Sequence, residues 1–286
     1  METIKTAAAP YSCFEDIKRD IAEFAKRGDL NGFQKWAATE RYVLEPKLDF
    51  EPKSIIAAAA PFKIYNAAFT YGGKRYVGVI EKGAGLDAVK AYLSEGNSYN
   101  FFFDYWLPQK RIAARSGLAD YGKNNICYVE GMGSLIELFC FISDMPCPDK
   151  YVWREARHMP ECGDCGLCRK NCPTGAIPRD RFLIDTQRCI TNFNEWGDGP
   201  FPDFIPKGAH HRTTGCSRCQ EVCPKNKGRF DKIAKTVEFD GGETELLLSG
   251  EKLESLPAAL IDKVKDCDME WYYGSLPRNL RAMFRG

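Results

Sequence analysis

The side chains best suited to chemistry in this chain are its cysteines, of which there are 13 among 286 residues. Four of them are spaced as C-x2-C-x2-C-x3-C over residues 162–172, and Pro173 follows the last one. Three more are spaced as C-x2-C-x3-C over residues 216–223, followed by Pro224, while Cys189 stands alone between the two groups. In a reducing compartment, where disulfides are rare, cysteines at this density usually bind metal.

The spacing of these eight cysteines is that of a bacterial ferredoxin, in which the fourth cysteine of the run ligates the other cluster. Three thiolates two residues apart wrap a short loop around one cubane, and the fourth lies a turn further on and reaches a second cubane. The spacing therefore predicts two [4Fe–4S] clusters, one held by Cys162, Cys165, Cys168 and Cys223 and the other by Cys172, Cys189, Cys216 and Cys219. Two structural zinc sites are the alternative, although zinc sites usually pair two C-x2-C motifs and need neither the third cysteine nor the proline.

The other five cysteines have no partner spacing. Free cysteine commonly behaves as a small buried hydrophobic residue, and we expect this role for all five. They are Cys13, Cys127, Cys140, Cys147 and Cys267.

Apart from cysteine, the composition is that of an ordinary globular protein, with 44% hydrophobic and 28% charged residues. The formal net charge is +1, so bulk charge does not hold this chain to nucleic acid, and we expect no DNA partner. The longest apolar stretch, residues 55–62, is far shorter than the roughly 20 residues that span a bilayer. The first 20 residues show no secretion signal. We therefore expect a cytoplasmic protein with no membrane partner.

Hydrophobic periodicity predicts the elements that position the cysteines. The predicted helices cover residues 12–28, 31–41, 86–95 and 108–116, with a further helical region over residues 242–286. The predicted strands cover residues 54–60 and 126–129, with a hairpin turning at residues 71–74 and a stretch at 134–145 that fits either a strand or a helix.

Strands and helices alternate up to about residue 155, which favours an α+β fold in three parts. The first part, residues 1–155, is predicted to be an α/β domain that binds substrate. The second, residues 156–232, is the ferredoxin-like module with two [4Fe–4S] clusters. The third, residues 233–286, is predicted to be a helical segment that packs back on the body.

The cysteine module resembles that of the epoxyqueuosine reductase family. The shared residues are CGDCGLCRKNCPTGAIP from Cys162, an aspartate four residues before Cys189, and GCSRCQEVCPKNK from Gly215. The stretches SIIAAAAPF, AARSGLADYGKNN and SLPRNLRAM also resemble family segments, so the similarity covers most of the chain from about residue 50. Only a few residues follow the last of these, and we therefore expect a short member that lacks the family's C-terminal HEAT-like repeat.

The resemblance implies a fold, cofactors and a reaction. Family members bind cobalamin in a nitroreductase-like α/β domain at the N-terminus, next to one cluster, and reduce epoxyqueuosine to queuosine in tRNA. For this chain it implies an oxidoreductase with two [4Fe–4S] clusters and cobalamin, an external low-potential electron donor of the ferredoxin or flavodoxin type, and tRNA or a smaller related substrate. Two alternatives stay open: a paralogue that dehalogenates its substrate reductively or reduces a corrinoid, and a ferredoxin-like electron-transfer protein.

The resemblance also implies roles for individual residues. It places a catalytic aspartate a few residues before a proline, which matches Asp104 ahead of Pro108, and the aromatic neighbours of Asp104 favour the protonated carboxyl that a general acid needs. An ordinary turn aspartate or a helix N-cap near Pro108 is the alternative. Glycine admits close backbone approach, and lysine, asparagine and serine side chains donate hydrogen bonds. The predicted cobalamin contacts are Gly122, Lys123, Asn124, Asn125 and Ser134. A plain turn before the strand at residues 126–129 is the alternative.

Overall fold

The structure is a computed structural model that describes residues 4–196 and 199–285. The chain divides into two compact units that alternate along the sequence. The first unit comprises Met1–Phe62, Gly83–Gly166 and Arg179–Thr186, and the second comprises Lys63–Lys82, Leu167–Pro178 and Gln187–Gly286. In the described part of the chain, no helix is long and apolar enough to cross a membrane.

The strands in chain order are β1 (Lys5–Pro10), β2 (Ser54–Pro61), β3 (Lys63–Tyr71), β4 (Lys74–Lys82), β5 (Phe101–Phe102), β6 (Asp120–Tyr121), β7 (Cys127–Tyr128), β8 (Ile136–Ser143) and β9 (Ile233–Phe239). The helices are α1 (Phe14–Ala25), α2 (Gly32–Trp36), α3 (Leu86–Ser94), α4 (Gln109–Arg115), α5 (Cys162–Cys165), α6 (Leu167–Asn171), α7 (Ile190–Trp196), α8 (Arg218–Glu221), α9 (Gly241–Ser249), α10 (Ala258–Asp266) and α11 (Leu276–Met283). Tighter helical turns cover Tyr11–Cys13, Thr186–Arg188, Lys207–Ala209, Pro224–Asn226, Leu253–Ser255 and Met269–Ser275, and a wider one covers Ala37–Arg41.

The first unit is built on an antiparallel sheet with the strand order β1-β2-β8-β5. Strand β2 is buried from Ser54 to Ala60 because helices cover both of its faces. On one face, Ala57 packs in a cluster with α1 and α4. On the other face, Ala58 packs in a cluster with Val89 of α3. The apolar run that predicted a buried strand is therefore confirmed, and residues 134–145 form a strand (β8) rather than a helix.

The second unit has a three-stranded sheet in the order β4-β3-β9. The hairpin between β3 and β4 forms at the predicted turn, and β9 lies parallel to β3. Phe69 of β3 stacks on Phe239 of β9 with ring centroids 4.8 Å apart. Helices α9, α10 and α11 bury apolar side chains in the same cluster, including Leu247, Leu260 and Leu280.

The segment predicted to be helical over residues 233–286 begins instead with strand β9. Only Val237 and Phe239 of this strand are buried, so its alternating pattern is too short to stand out in the sequence. The boundaries predicted after residues 155 and 232 separate parts with different expected functions, and this division stays a prediction. Compactness groups the chain differently, since the β3–β4 hairpin belongs to the same unit as β9.

Candidate functional site

A cavity of about 530 Å³ opens in the first unit beside the start of α4. Its wall comes from α1, the residues that lead into α4, the β6–β7 hairpin and the stretches around residues 156–158 and 182–183. This volume is typical of a pocket for a small molecule or part of a cofactor. The side chains that set its chemistry are aromatic, amide and cationic: Tyr42, Tyr105, Trp106, Gln109, Lys110, Arg111, Tyr121, Asn125, His158 and Phe182.

Trp106 is fixed in the cavity wall by neighbouring rings. Its ring meets Trp36 edge-on with centroids 5.5 Å apart and Tyr42 at 6.4 Å. The guanidinium of Arg41 lies 4.8 Å from the Trp106 ring, within the range of a cation–π contact. These contacts hold one flat aromatic surface in place at the cavity.

Gln109, the first residue of α4, lines the cavity and has a buried side-chain oxygen to which no described residue donates a hydrogen bond. Its Nε2 donates to the carbonyl oxygen of Tyr105 at 3.3 Å, whereas its Oε1 is buried without a hydrogen-bond partner. Beside it, Nζ of Lys110 donates to the carbonyl oxygen of Asn125 at 3.2 Å. Buried acceptors are almost always bonded in native proteins, so the Gln109 oxygen fits a bound group that carries an N–H.

Asp104 lies one residue before the cavity wall and does not line the cavity itself. Its Oδ1 accepts the backbone N–H of Trp106 at 2.7 Å, and its carbonyl oxygen accepts the N–H of Leu107 at 3.1 Å. These bonds make Asp104 a turn residue that sets the position of Tyr105 and Trp106. Its catalytic role stays a prediction, in which the carboxylate oxygen not used in the turn would act.

The residues predicted to contact cobalamin lie mainly in the turn between β6 and β7. The N–H of Asn125 donates to the carbonyl oxygen of Gly122 at 2.9 Å, and Asn125 adopts a positive φ of 62°. A Cβ at position 122 would lie 2.5 Å from the ring of Tyr128, so only glycine fits there. Asn124 is buried and donates to the Tyr128 hydroxyl at 3.0 Å. Gly122 and Asn124 thus shape the turn, and Asn125 faces the cavity.

Lys123 and Ser134 lie apart from the cavity wall. Nζ of Lys123 donates to the carbonyl oxygen of Arg179 at 2.7 Å and lies 4.5 Å from the Phe182 ring centroid. It therefore supports the stretch that carries Phe182. Ser134 is buried at 4% exposure, just ahead of β8. Of the predicted contacts, all of which lie in the described part of the chain, Asn125 alone lines the cavity.

His158 is a cavity residue to which the sequence analysis gave no role. A backbone bridge pairs it with Tyr121, and its ring stacks on Phe182 with centroids 4.0 Å apart. Loss of hydration, together with the positive charges of Arg111 and Lys123, lowers the pKa of His158. A neutral imidazole at neutral pH can accept or donate a hydrogen bond in the cavity. No sequence signal brings residue 158 to residue 121, because their pairing depends on tertiary structure.

In the second unit, three of the cysteines predicted to hold one cluster influence one another electrostatically. The pKa of the Cys216 thiol is raised to about 11, mainly by burial and also by the neighbouring thiols of Cys189 and Cys172. Burial likewise raises the pKa of Cys189. The fourth predicted ligand, Cys219, lies on α8. Sulfur atoms whose negative charges would oppose one another suit a cationic metal centre that neutralises them.

Side chains bonded to backbone carbonyls hold the cysteine loops of this unit. Nδ2 of Asn171, next to Cys172, donates to the carbonyl oxygen of Arg218 at 2.6 Å. Nε of Arg188, next to Cys189, donates to the carbonyl oxygen of Thr174 at 2.7 Å. Such bonds fix the loops. The hydroxyl of Thr174 lies 3.6 Å from Sγ of Cys172.

The other predicted ligand set has members in both units. Cys162 and Cys165 are the terminal residues of α5 in the first unit, while Cys168 lies on α6 and Cys223 precedes the turn at Pro224–Asn226 in the second. Their assignment to one cluster stays a prediction from the spacing. Among the described residues, no group of three or more histidine, cysteine, aspartate or glutamate side chains is arranged to hold a single metal ion.

All 13 cysteines are free thiols. Of the five expected in the core, Cys127, Cys140 and Cys267 are buried at 4%, 0% and 1% exposure, as predicted. Cys13 and Cys147 are only partly buried. The prediction therefore holds for three of the five.

Comparison with known proteins agrees with the cysteine motifs. A family model described as a 4Fe-4S double cluster binding domain matches residues 161–226. The epoxyqueuosine reductase of Atelocyanobacterium thalassa is 32% identical over 134 residues, which cover 46% of this chain and 42% of that protein. The Bacillus anthracis enzyme of the same name is 29% identical over 241 residues, which cover 78% of this chain and 61% of that protein. The matched region thus spans about half the length of these relatives.

Solved structures of epoxyqueuosine reductases share the fold. One from Bacillus subtilis aligns with a TM-score of 0.61 and 22% identity over 99% of this chain and 77% of its own. Another, in complex with an epoxyqueuosine-modified tRNA stem loop, aligns with a TM-score of 0.58 and 22% identity over the same shares. We conclude that the chain is similar in sequence and in fold to epoxyqueuosine reductases and that its residues 161–226 match a 4Fe-4S double cluster binding domain, which confirms the resemblance seen in its cysteine motifs.

Proposed function

We propose that this chain is an iron–sulfur oxidoreductase of the epoxyqueuosine reductase type, which removes the epoxide oxygen of epoxyqueuosine in tRNA or of a smaller related substrate. The observation that carries the proposal is the double-cluster match at residues 161–226, within a longer similarity to these reductases. The cavity in the first unit favours an enzyme over an electron carrier, since a carrier needs no pocket with aromatic and amide walls.

The proposed reaction converts an epoxide and two protons, with two electrons, into an alkene and water. A cubane cluster carries one electron at a time, so two clusters in series bring the electrons from an external donor of the ferredoxin or flavodoxin type. None of the 13 cysteines forms a disulfide, which fits a reducing compartment, and we propose the cytoplasm as the location.

Cobalamin is the second cofactor of this proposal. When bound, it supplies an electron-rich cobalt for bond making and bond breaking at the substrate. The buried Oε1 of Gln109 fits this cofactor because the amide groups on the rim of a corrin are N–H donors. A corrin is larger than the cavity, so Gln109, Lys110 and Asn125 would contact one edge of the ring. Gly122, Lys123 and Asn124 would support these contacts by shaping the turn, and Ser134 stays a predicted contact.

The leaving oxygen needs a proton from a positioned acid. We assign this role to Asp104, whose chain neighbours Tyr105 and Trp106 form part of the cavity wall. The turn that Asp104 closes would let its second carboxylate oxygen reach a substrate bound at this wall. The solved Bacillus subtilis reductase likewise has a catalytic loop that carries an aspartate, which supports the assignment.

A basic cleft in the second unit supports tRNA as the partner. The cleft has a volume of about 550 Å³ and is bordered by Arg278, Arg281 and Arg285, by Lys207 and by one carboxylate, Asp203. The three arginines recur at intervals of three and four residues. Arg278 and Arg281 lie on the side of α11 opposite its buried face, and Arg285 follows the end of the helix. Guanidinium and ammonium groups along a groove bind the phosphates of a nucleic acid strand.

Rings in the same cleft could stack on an unpaired base. Phe201 lies 4.2 Å from the His210 ring, centroid to centroid, and the guanidinium of Arg278 lies 4.3 Å from the Phe201 centroid. Single-stranded nucleic acid is bound by this combination of cations and aromatic faces.

We expect the double substitution Lys207→Glu and Arg285→Glu to weaken binding of a tRNA stem loop about tenfold or more. The slope of log affinity against log salt concentration should also become shallower, by the amount that corresponds to the loss of about two phosphate contacts. Both side chains are exposed, so the fold should persist. Fluorescence anisotropy at several salt concentrations measures both effects. Lys252→Glu, an exposed lysine that does not line the cleft, is the matched control. Equal affinity of the double variant and the control would remove the cleft from the tRNA surface.

The proposed function is tested with protein prepared anaerobically, reconstituted with iron and sulfide and supplied with cobalamin. We expect a change in the corrin absorption spectrum on binding and, with a chemical reductant and epoxyqueuosine-modified tRNA, loss of one oxygen atom from the nucleoside by mass spectrometry. Corrin binding without loss of oxygen would contradict the substrate and point to a dehalogenating or corrinoid-reducing paralogue. If the protein neither binds the corrin nor removes the oxygen but its clusters can be reduced, the result would favour a ferredoxin-like electron carrier.

A further inference from the structure

A buried guanidinium in the second unit has more hydrogen-bond donors than partners. Arg212 is 4% exposed, and its Nη1 donates to a carboxylate oxygen of Glu81 at 3.0 Å. Its Nε and Nη2 are buried and have no hydrogen-bond partner among the described residues. Buried donors of a charged group rarely stay unsatisfied in native proteins, so these two nitrogens indicate an acceptor that the polypeptide does not supply.

The surroundings of Arg212 point to what that acceptor is. Arg212 lies four residues before Cys216, and its positive charge acts on the sulfur of that cysteine. The adjacent Thr213 is fully buried, and its Oγ1 also lacks a partner. Unsatisfied donors on the segment that leads to Cys216 fit a cluster held by that cysteine, because the sulfide and thiolate sulfurs of a cluster accept hydrogen bonds.

Other contacts hold this segment firmly. Nδ2 of Asn279 on α11 donates to the carbonyl oxygen of Thr213 at 2.7 Å and to that of Asn194 at 3.0 Å. Nδ2 of Asn194, five residues after Cys189, donates to the carbonyl oxygen of Gly215 at 2.7 Å. The backbone around Arg212 is thus tied to the helix that follows Cys189, and its guanidinium cannot easily turn to solvent.

We propose that Arg212 sets the reduction potential of the cluster held by Cys172, Cys189, Cys216 and Cys219. This inference rests on the proposed iron–sulfur function. One electron from the low-potential donor reduces the cluster core, with no bond broken and no proton moved, and the charge of the cluster with its four thiolates goes from 2− to 3−. A buried cation that also donates hydrogen bonds to sulfur stabilises the more negative form and raises the potential. Glu81 opposes this effect by neutralising part of the charge of Arg212.

The test is a redox titration of the reconstituted protein followed by electron paramagnetic resonance. We expect Arg212→Gln to lower the reduction equilibrium constant of one cluster at least about tenfold, which for one electron is a fall of about 59 mV. Arg212→Lys keeps the charge but loses the fork of donors, so its potential should lie between those of wild type and Arg212→Gln. Glu81→Gln should move the same cluster in the opposite direction. The second cluster serves as the internal reference in each sample.

The outcomes separate this inference from the function on which it rests. Wild-type protein that takes up no cluster signal contradicts the proposed function. Wild-type protein with two reducible clusters, whose potentials are the same in Arg212→Gln and Glu81→Gln, overturns the role of Arg212 alone. Equal shifts of both clusters overturn it as well, because they would reflect a general loss of structure. If Arg212→Gln fails to fold, the upward shift in Glu81→Gln still decides the question.

Discussion

Replacing Cys189 with serine is expected to leave about four instead of about eight iron atoms per chain, because each [4Fe–4S] cluster needs its four thiolate ligands. Turnover should fall to the background rate, since electrons pass one at a time through both clusters. Serine is nearly isosteric with cysteine, and Cys189 is only partly buried, so the polypeptide should still fold. Iron and sulfide analysis of the reconstituted protein, together with the electron paramagnetic resonance signal of the reduced clusters, measures the loss.

The matched control for this substitution is Cys147→Ser. Cys147 is also partly buried, and its Sγ lies 3.4 Å from the carbonyl oxygen of Pro148. We expect this variant to keep the full iron content and activity. Full iron in Cys189→Ser would contradict the ligand assignment, and zinc in place of iron in the wild-type protein would favour the structural zinc alternative.

The substitution Asp104→Asn is expected to lower kcat by about 100-fold to 10,000-fold, the usual range for losing a general acid. Asparagine keeps the Oδ1 acceptor for the N–H of Trp106, so the turn at the cavity wall should be preserved. Iron content and corrin binding should match those of wild type. Single-turnover reduction of epoxyqueuosine under anaerobic conditions measures the rate of the chemical step.

Asp144→Asn provides the control for Asp104→Asn. Asp144 is also a carboxylate whose oxygens accept a backbone N–H and a side-chain N–H, both from Asn100, but it does not line the cavity. Its substitution should leave kcat unchanged. A wild-type kcat in Asp104→Asn would show that this residue only closes its turn, which is the alternative that the sequence already offered.

Much of the fold follows from local sequence signals. The run Ser54–Pro61 is apolar on both faces and becomes the buried centre of a sheet. The turn Gly72-Gly73 has two positive φ values, which glycine adopts readily, and it closes the predicted hairpin. The hydrophobic pattern of residues 134–145 has no periodicity that distinguishes a helix from a strand. This segment forms a strand because it pairs with β2, and such pairing depends on residues about 80 positions away.

The site residues likewise divide into those that local sequence predicts and those that only tertiary contacts bring together. Cysteine spacing predicts the ligands because a cluster imposes its own local geometry on the chain. Gly122 and Asn125 are visible as turn residues, yet nothing local shows that Asn125 faces a cavity and Asn124 does not. Gln109 and His158 come to the cavity through helix packing and through a bridge to Tyr121. These contacts join distant parts of the chain, so a single sequence without an alignment carries no trace of them.

The membership of the β3–β4 hairpin in the second unit has a consequence for biosynthesis. During translation the hairpin leaves the ribosome before β9, which follows it by about 150 residues, and at ordinary elongation rates the delay is roughly 8 to 30 seconds. For that interval one edge of β3 has no partner strand, and an unpaired edge is prone to wrong pairing with other chains. Four of the eight predicted ligands also emerge only from Cys189 onward, so the metal centres are assembled late. We therefore expect the nascent chain to need protection of this edge, and late delivery of iron, more than a protein of this size with contiguous domains.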